Sequence, residues 1–424
     1  MRKFLPYILV IFLSSIQAKT LKSKLPNGLT LLITPTEIKQ LAYITVLIKG
    51  GSNVENNPGA SNLLMRLLPL GTKQHTKDEI RKILEDNLMD LETQTNINYW
   101  QMNIRCPSYS LPQALNLLKE ILFYPLLDEY ELEKEKKKII AEIDALSIEP
   151  LIIGYARLCQ ALYGLNHPYG RPVNGTRESV EKISLQEIRS LYLAFFQPQN
   201  IIISITGDVE PSKITELCSE LFGELPKGEN SPISYPFYHP LIRSHSEVLK
   251  LDSQFAYILI GIPLPGINHP DYPVLELINA LLGKGTSSRL AKALRWRMGI
   301  SYDFGSLYPS LLGKSLLFVW ATVDPERVDE AKEALINEIA SLDYLDAKEY
   351  EKARNKLKGD YLLSLSSLKK LSFQLAFYEA TGLGYNYIEK FPQIVENITL
   401  WDVKRAVRRY LKGNLFLLLI TPSS

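Results

Sequence analysis

The chain repeats itself, and that constrains its fold more than any other feature. Val180-Glu181-Lys182-Ile183-Ser184-Leu185 returns as Val395-Glu396-Asn397-Ile398-Thr399-Leu400, an offset of 215 residues. The charged pattern Asp128, Glu131, Glu133, Lys134, Lys138 returns as Asp346, Glu349, Glu351, Lys352, Lys356, an offset of 218. The apolar run Ile201-Ile202-Ile203-Ser204-Ile205 has its counterpart in Leu415-Phe416-Leu417-Leu418-Leu419. A near-constant offset over several elements is the mark of duplication. The expectation is an α+β chain of two tandem homologous domains, each a mixed β-sheet with helices packed on one face. The Pro-rich break with Pro232, Pro236 and Pro240 sets the boundaries: domains over 19–226 and 246–424, with a linker over 227–245.

Local signals place the elements of the first copy. Asn27-Gly28 is a turn, and Leu29–Ile33 with Leu41–Ile48 read as a hairpin. A helix follows the Asn56-Asn57-Pro58-Gly59 turn and stops near Pro69 and Gly71-Thr72. Thr76 and Glu79, and again Ser184 and Glu187, have capping-box spacing. Glu129 to Leu146 is a long charged helix, whose charges by themselves indicate only a solvated face.

Residues 1–18 have the pattern of a secretory leader. Arg2-Lys3 precedes the apolar run Phe4–Ile16, and Ser14–Ala18 is a cleavage region. The run falls short of the roughly 20 residues that span a bilayer. The expectation is a secreted, periplasmic protein with no membrane span after leader removal. Without Arg2 and Lys3, 46 basic residues face 46 acidic ones, which gives no support for nucleic-acid binding. Cys106, Cys159 and Cys218 are far apart and odd in number, so buried thiols are the default and a single disulfide is the alternative. No two of the five histidines lie three to five residues apart, so no local zinc motif is present.

The stretch Gly59-Ala60-Ser61-Asn62-Leu63-Leu64-Met65-Arg66-Leu67-Leu68-Pro69-Leu70-Gly71-Thr72 resembles the pitrilysin/insulysin family of zinc peptidases, the inverzincins. There the same helix carries H-x-x-E-H within G-x-A-H-F-L-E-H-M-x-F-x-G-T. The frame fits without a gap, yet Asn62, Met65 and Arg66 stand where the family has His, Glu and His. Glu142, 76 residues after Arg66, matches the family's third ligand. Two readings of Glu142 stay open: an ion pair with Arg66 in the vacated site, or a solvated helix carboxylate. Further erosion shows at Leu88-Met89, where the family has Gly-Gly, and at Glu92-Thr93-Gln94-Thr95, where it has Asn-Ala-x-Thr. In catalytic members this edge strand pairs with extended substrate.

The second half departs less. Leu282-Gly283-Lys284-Gly285-Thr286-Ser287-Ser288-Arg289-Leu290 is similar to the family's L-G-G-G-x-S-S-R-L. Gly283 and Gly285 would form a flexible loop near entering substrate. Leu294-Arg295-Trp296-Arg297-Met298-Gly299-Ile300-Ser301-Tyr302 is similar to its L-R-E-x-x-G-L-A-Y. The resemblance makes Arg295 and Tyr302 a substrate-binding pair, able to hold a peptide carbonyl or an oxyanion. It implies no catalytic residue and no metal on this chain, with zinc only on a partner. The expected partner is a zinc-bearing paralogous subunit in a heterodimer acting on peptides. The alternative is a non-catalytic structural or peptide-binding protein, self-associating as a homodimer. An active peptidase would need a metal site that the sequence does not supply.

Overall fold

A computed structural model describes residues 19–229 and 244–423. The leader 1–18 and residues 230–243 of the expected linker lie outside the described residues. The fold is mixed α/β with two sheets, and the chain divides into two compact units. The first takes in 19–141, 173–229 and 363–388; the second takes in 142–172, 244–362 and 389–423. No helix among the described residues is long and apolar enough to cross a membrane.

The first unit holds strands β1 (Leu21–Lys24), β2 (Thr30–Pro35), β3 (Leu41–Lys49), β4 (Asp90–Thr95), β5 (Tyr99–Pro107) and β6 (Ile201–Gly207). They are ordered β1-β2-β6-β3-β5-β4. The Asn27-Gly28 turn does make a hairpin, but it joins β1 to β2. The hairpin expected between β2 and β3 is absent, because β6 lies between them, parallel to β2 and antiparallel to β3. The reason is burial. β6 is buried at all seven positions, and such a strand belongs at a sheet centre with both faces covered.

The second unit holds β7 (His245–Leu251), β8 (Ala256–Leu264), β9 (Asp303–Leu307), β10 (Ser315–Val323) and β11 (Phe416–Pro422), ordered β7-β11-β8-β10-β9. Here too the last strand inserts between the first two, parallel to β7 and antiparallel to β8. The two sheets therefore share one topology, with β1 added to the first. The repeat seen in the sequence is a repeat of strand order.

Five helices bear on packing and on the candidate site: α1 (Ala60–Leu67), α2 (Glu129–Leu146), α3 (Pro150–Tyr163), α4 (Tyr272–Gly283) and α5 (Leu368–Thr381). Helices α3 and α5 correspond under the 218-residue offset, and they have changed places. Helix α3 comes from the first half of the chain and packs on β8 and β11. Helix α5 comes from the second half and packs on β3 and β6. The α3 contact is close. A Cβ on Gly154 would lie 2.6 Å from Leu259 Cδ2, and one on Gly261 of β8 would lie 2.6 Å from Leu158 Cδ2. Helix α5 crosses the small polar face of its sheet, where Ser372 Oγ donates to Ser204 O and Thr206 Oγ1 donates to Leu368 O.

Caps follow the sequence in part. Thr76 and Glu79 close a reciprocal capping box. Ser184 accepts from Glu187 N, but the Glu187 carboxylate is turned to Asn57 instead, taking its backbone N–H at 3.3 Å and its Nδ2 at 2.9 Å. All three cysteines are free and buried.

Candidate functional site

The candidate residues fall in two places, one in each unit. The first is α1. Its N-terminus is held by Glu55, whose carboxylate accepts from Gly59 N at 3.1 Å and Ser61 N at 2.7 Å. A carboxylate there satisfies free N–H groups and complements the helix dipole. Gly59 has φ 101°, and a Cβ at that position would sit 2.9 Å from Asn174 O. The glycine lets the 174 loop approach, and Asn62 Nδ2 donates to Asn174 Oδ1 at 3.0 Å.

Met65 is 1% exposed and belongs to the core of the first unit. Arg66 points its Nη1 to within 3.8 Å of Glu135 Oε2 on α2. Glu135 is itself buried and also accepts from Lys138 Nζ. Glu142 lies two turns further along α2, about 10 Å on, and is exposed. Glu135 could have been found in the sequence, because it shares a helix face with Glu142 at i, i+7. Asn174 had no such signal.

These residues do not suit the zinc ion of the related peptidases. A hydrolytic zinc site needs three nitrogen, oxygen or sulfur ligands, an open position for water and a carboxylate base. An amide, a buried thioether and a permanently charged guanidinium offer neither that ligand set nor a base. No group of three His, Cys, Asp or Glu able to hold a metal occurs among the described residues.

The second place is the turn from the π-helical segment Ala291–Arg297 into β9. Gly299 makes the reversal with φ 63°, and nothing lies within 4 Å of where its Cβ would be. Glycine is needed there for its backbone angle, not for space. The reversal brings Arg295 beside Tyr302. Arg295 Nη2 donates to Tyr302 O at 2.7 Å. The guanidinium carbon lies 5.7 Å from the Tyr302 ring centre and 5.2 Å from that of Phe304, within cation–π range. Arg295 Nε is buried without a hydrogen-bond partner, and the Tyr302 side chain is 77% exposed.

Charge sets Arg295 apart from its neighbours. Lys284 pairs with Glu276, Lys292 with Glu349 and Arg297 with Glu338. Arg295 has no carboxylate partner among the described residues. A held, unneutralised guanidinium next to an exposed phenol can receive a carbonyl oxygen or an oxyanion. The two loop glycines differ. Gly283 ends α4 buried, where a Cβ would meet Ser306 N at 2.3 Å; Gly285 has φ 82°, and a Cβ there would lie 3.6 Å from Lys356 Nζ, an ordinary contact.

Both halves of the chain match family descriptions. Residues 31–177 match "Insulinase (Peptidase family M16)" and residues 182–357 match "Peptidase M16 inactive domain". The chain belongs to the M16 family of insulinase- and pitrilysin-like proteins. It is 24% identical over 402 residues to the uncharacterized zinc protease YmxG of Bacillus subtilis (strain 168), covering 94% of this chain and 97% of that protein. It is 23% identical over 308 residues to the protein named non-peptidase homolog YmxG of Helicobacter pylori, covering 72% and 71%. Two crystal structures share the fold. A protease from Helicobacter pylori superposes with TM-score 0.87 at 22% identity, over 96% of this chain and 100% of that one. A peptidase M16 inactive domain from Pseudomonas fluorescens gives 0.88 at 19% identity, over 96% and 98%.

Proposed function

We propose that this chain is the zinc-free, non-catalytic subunit of a heterodimeric M16 peptidase. It is exported to the periplasm and positions peptide for a zinc-bearing paralogue through Arg295 and Tyr302. The observation that carries this reading is the contrast between the two places. The α1 positions are filled by Asn62, Met65 and Arg66, while Arg295 stays unneutralised beside an exposed Tyr302. The description "inactive domain" for 182–357 and the name "non-peptidase homolog" for one relative support a chain without peptidase activity of its own.

The test is co-expression with a zinc-bearing M16 paralogue from the same source, followed by peptide hydrolysis by each chain alone and by the pair. The pair is expected to cleave and this chain alone is not. Arg295→Ala is expected to lower kcat/KM of the pair by about tenfold or more, the scale for losing one charge-assisted hydrogen bond. Tyr302→Phe is expected to lower it less, and neither substitution to change co-purification. Chelator-sensitive cleavage by the single chain would overturn the zinc-free reading. Unchanged kinetics in both variants would favour the alternative, a structural or peptide-binding protein that self-associates.

A further inference from the structure

The helical segment Leu400–Ala406, continued by the π-helical turn Val407–Leu411, carries a second cluster of cations in the second unit. Trp401, Lys404, Arg405, Arg408 and Arg409 line an open concavity of about 450 Å³. Two carboxylates lie beneath it, each with a side chain only 9% exposed. Asp271 accepts from Arg405 Nη2 at 2.9 Å and from Tyr410 OH at 2.8 Å, with Arg409 Nη1 at 3.6 Å. Asp343 accepts from Arg408 Nε at 2.7 Å and from Lys412 Nζ at 2.6 Å. Both oxygens of each aspartate are therefore occupied by side chains of residues 405–412, cations and the Tyr410 hydroxyl.

The outward charge is in surplus. Lys404, Arg405, Arg408, Arg409 and Lys412 face Asp271, Asp343 and Asp402, five cations against three carboxylates. The carboxylates are on the inside, whereas the side chains of Arg405, Arg408 and Arg409 are 43%, 64% and 61% exposed. Neither Nη group of Arg408 has a partner among the described residues, and neither does the Lys404 ammonium. A guanidinium fixed through Nε and open at both Nη groups has the geometry that receives a carboxylate. Trp401 stands beside it, 68% exposed, with the Arg405 guanidinium carbon 5.3 Å from its ring centre.

We propose that this concavity is a docking site for an acidic peptide segment, one with adjacent carboxylates and an apolar or aromatic residue to lie on Trp401. Length decides between a peptide and a small anion. From Trp401 to Arg409 the helix rises about 12 Å, the span of about four extended residues. One inorganic anion could bridge Lys404 and Arg408, which are neighbours at i, i+4, but would leave Trp401 and most of the length of the concavity unused. Charge complementarity and an exposed indole together suit a short carboxylate-rich segment. The site does not depend on Arg295 and Tyr302.

The test is fluorescence anisotropy of a labelled peptide with four consecutive glutamates followed by phenylalanine, titrated with the full chain at low salt. The control peptide has glutamine for each glutamate. The glutamate peptide is expected to bind at least about tenfold more tightly, and to weaken as salt is raised. Arg408→Ala is expected to weaken it about tenfold, and Lys404→Ala and Trp401→Ala each about threefold. Lys404→Ala removes no ion pair of the described residues, so it keeps the test valid if Arg408→Ala destabilises the chain. Lys39→Ala, which removes an exposed cation of the first unit, is expected to leave binding unchanged, which separates this site from general surface charge. Equal binding of both peptides would overturn the proposal. So would indifference to both Lys404→Ala and Trp401→Ala, or binding of phosphatidylglycerol vesicles or pyrophosphate with none of the peptide.

Discussion

Replacing Leu88 by glycine should stabilise the chain, and the local geometry sets the size of the gain. The helix Lys77–Asp86 ends in a paired closure: Leu88 N donates to Glu85 O at 3.1 Å and Met89 N donates to Leu84 O at 2.8 Å. That is the Schellman pattern, in which the residue at the first of these positions takes a left-handed backbone and is usually glycine. Leu88 has φ 53°. A side chain in that region costs about 1–2 kcal/mol. Burial returns little of it, because Leu88 is 68% exposed. Glycine would remove the strain and add about 0.5–1 kcal/mol of unfolded-state entropy. The net expectation is about 0.5–1 kcal/mol of added stability. Leu88→Asn, which tolerates the same backbone without glycine's freedom, should be neutral to stabilising. Urea denaturation followed by circular dichroism would show a higher midpoint at unchanged slope. A lower midpoint for both variants would refute the argument and mean that the Leu88 side chain is held by contacts stronger than its backbone strain.

Other consequences are as direct. Met65→Ala removes a 1%-exposed side chain from the core, and should cost about 2–4 kcal/mol, read as a lower denaturation midpoint. A double-mutant cycle on Arg66→Met and Glu135→Gln should give a coupling of about 1 kcal/mol; Lys138 shares Glu135 and Arg66 is partly solvated, so additivity within about 0.3 kcal/mol would remove the pair as a stabilising contact. Burial pushes the Cys106, Cys159 and Cys218 thiols each up to about 12, so a thiol reagent at pH 8 should leave the native chain unlabelled and modify all three in denaturant. Asp343 is held below the usual aspartate range by hydrogen bonds from Lys412 and Arg408, so its stabilisation is present above about pH 4 and lost as pH falls through the lower folded value. Acid titration of Asp343→Asn should show a weaker loss of stability in that window.

What the sequence made legible was local or repeated. The Asn27-Gly28 turn, the Thr76 cap, the bounds of α2 and the duplication all rest on neighbours in the chain or on self-comparison, and all are present in the structure. Long-range partners were less legible. Nothing near Leu29–Ile33 or Leu41–Ile48 announces that β6, more than 150 residues later, will come between them. The Ile-rich character of β6 was the available clue, since a strand buried on both faces needs neighbours on both sides. At α1 the substituted positions were plain from the motif, but the residues that now meet them, Asn174 and Glu135, come from other elements. Around Arg295 the spacing to Tyr302 was readable, whereas its lack of a carboxylate is a property of three-dimensional neighbours.

The exchange of α3 and α5 makes the duplication interdependent. In a protein half this length that kept this arrangement, the helix packed on each sheet would have to come from a second copy. Each copy would lend its helix to its twin and borrow one back. The present chain carries both loans in one molecule. Cutting it between the halves should therefore leave two fragments that hold each other, and neither half expressed alone should be a stable domain.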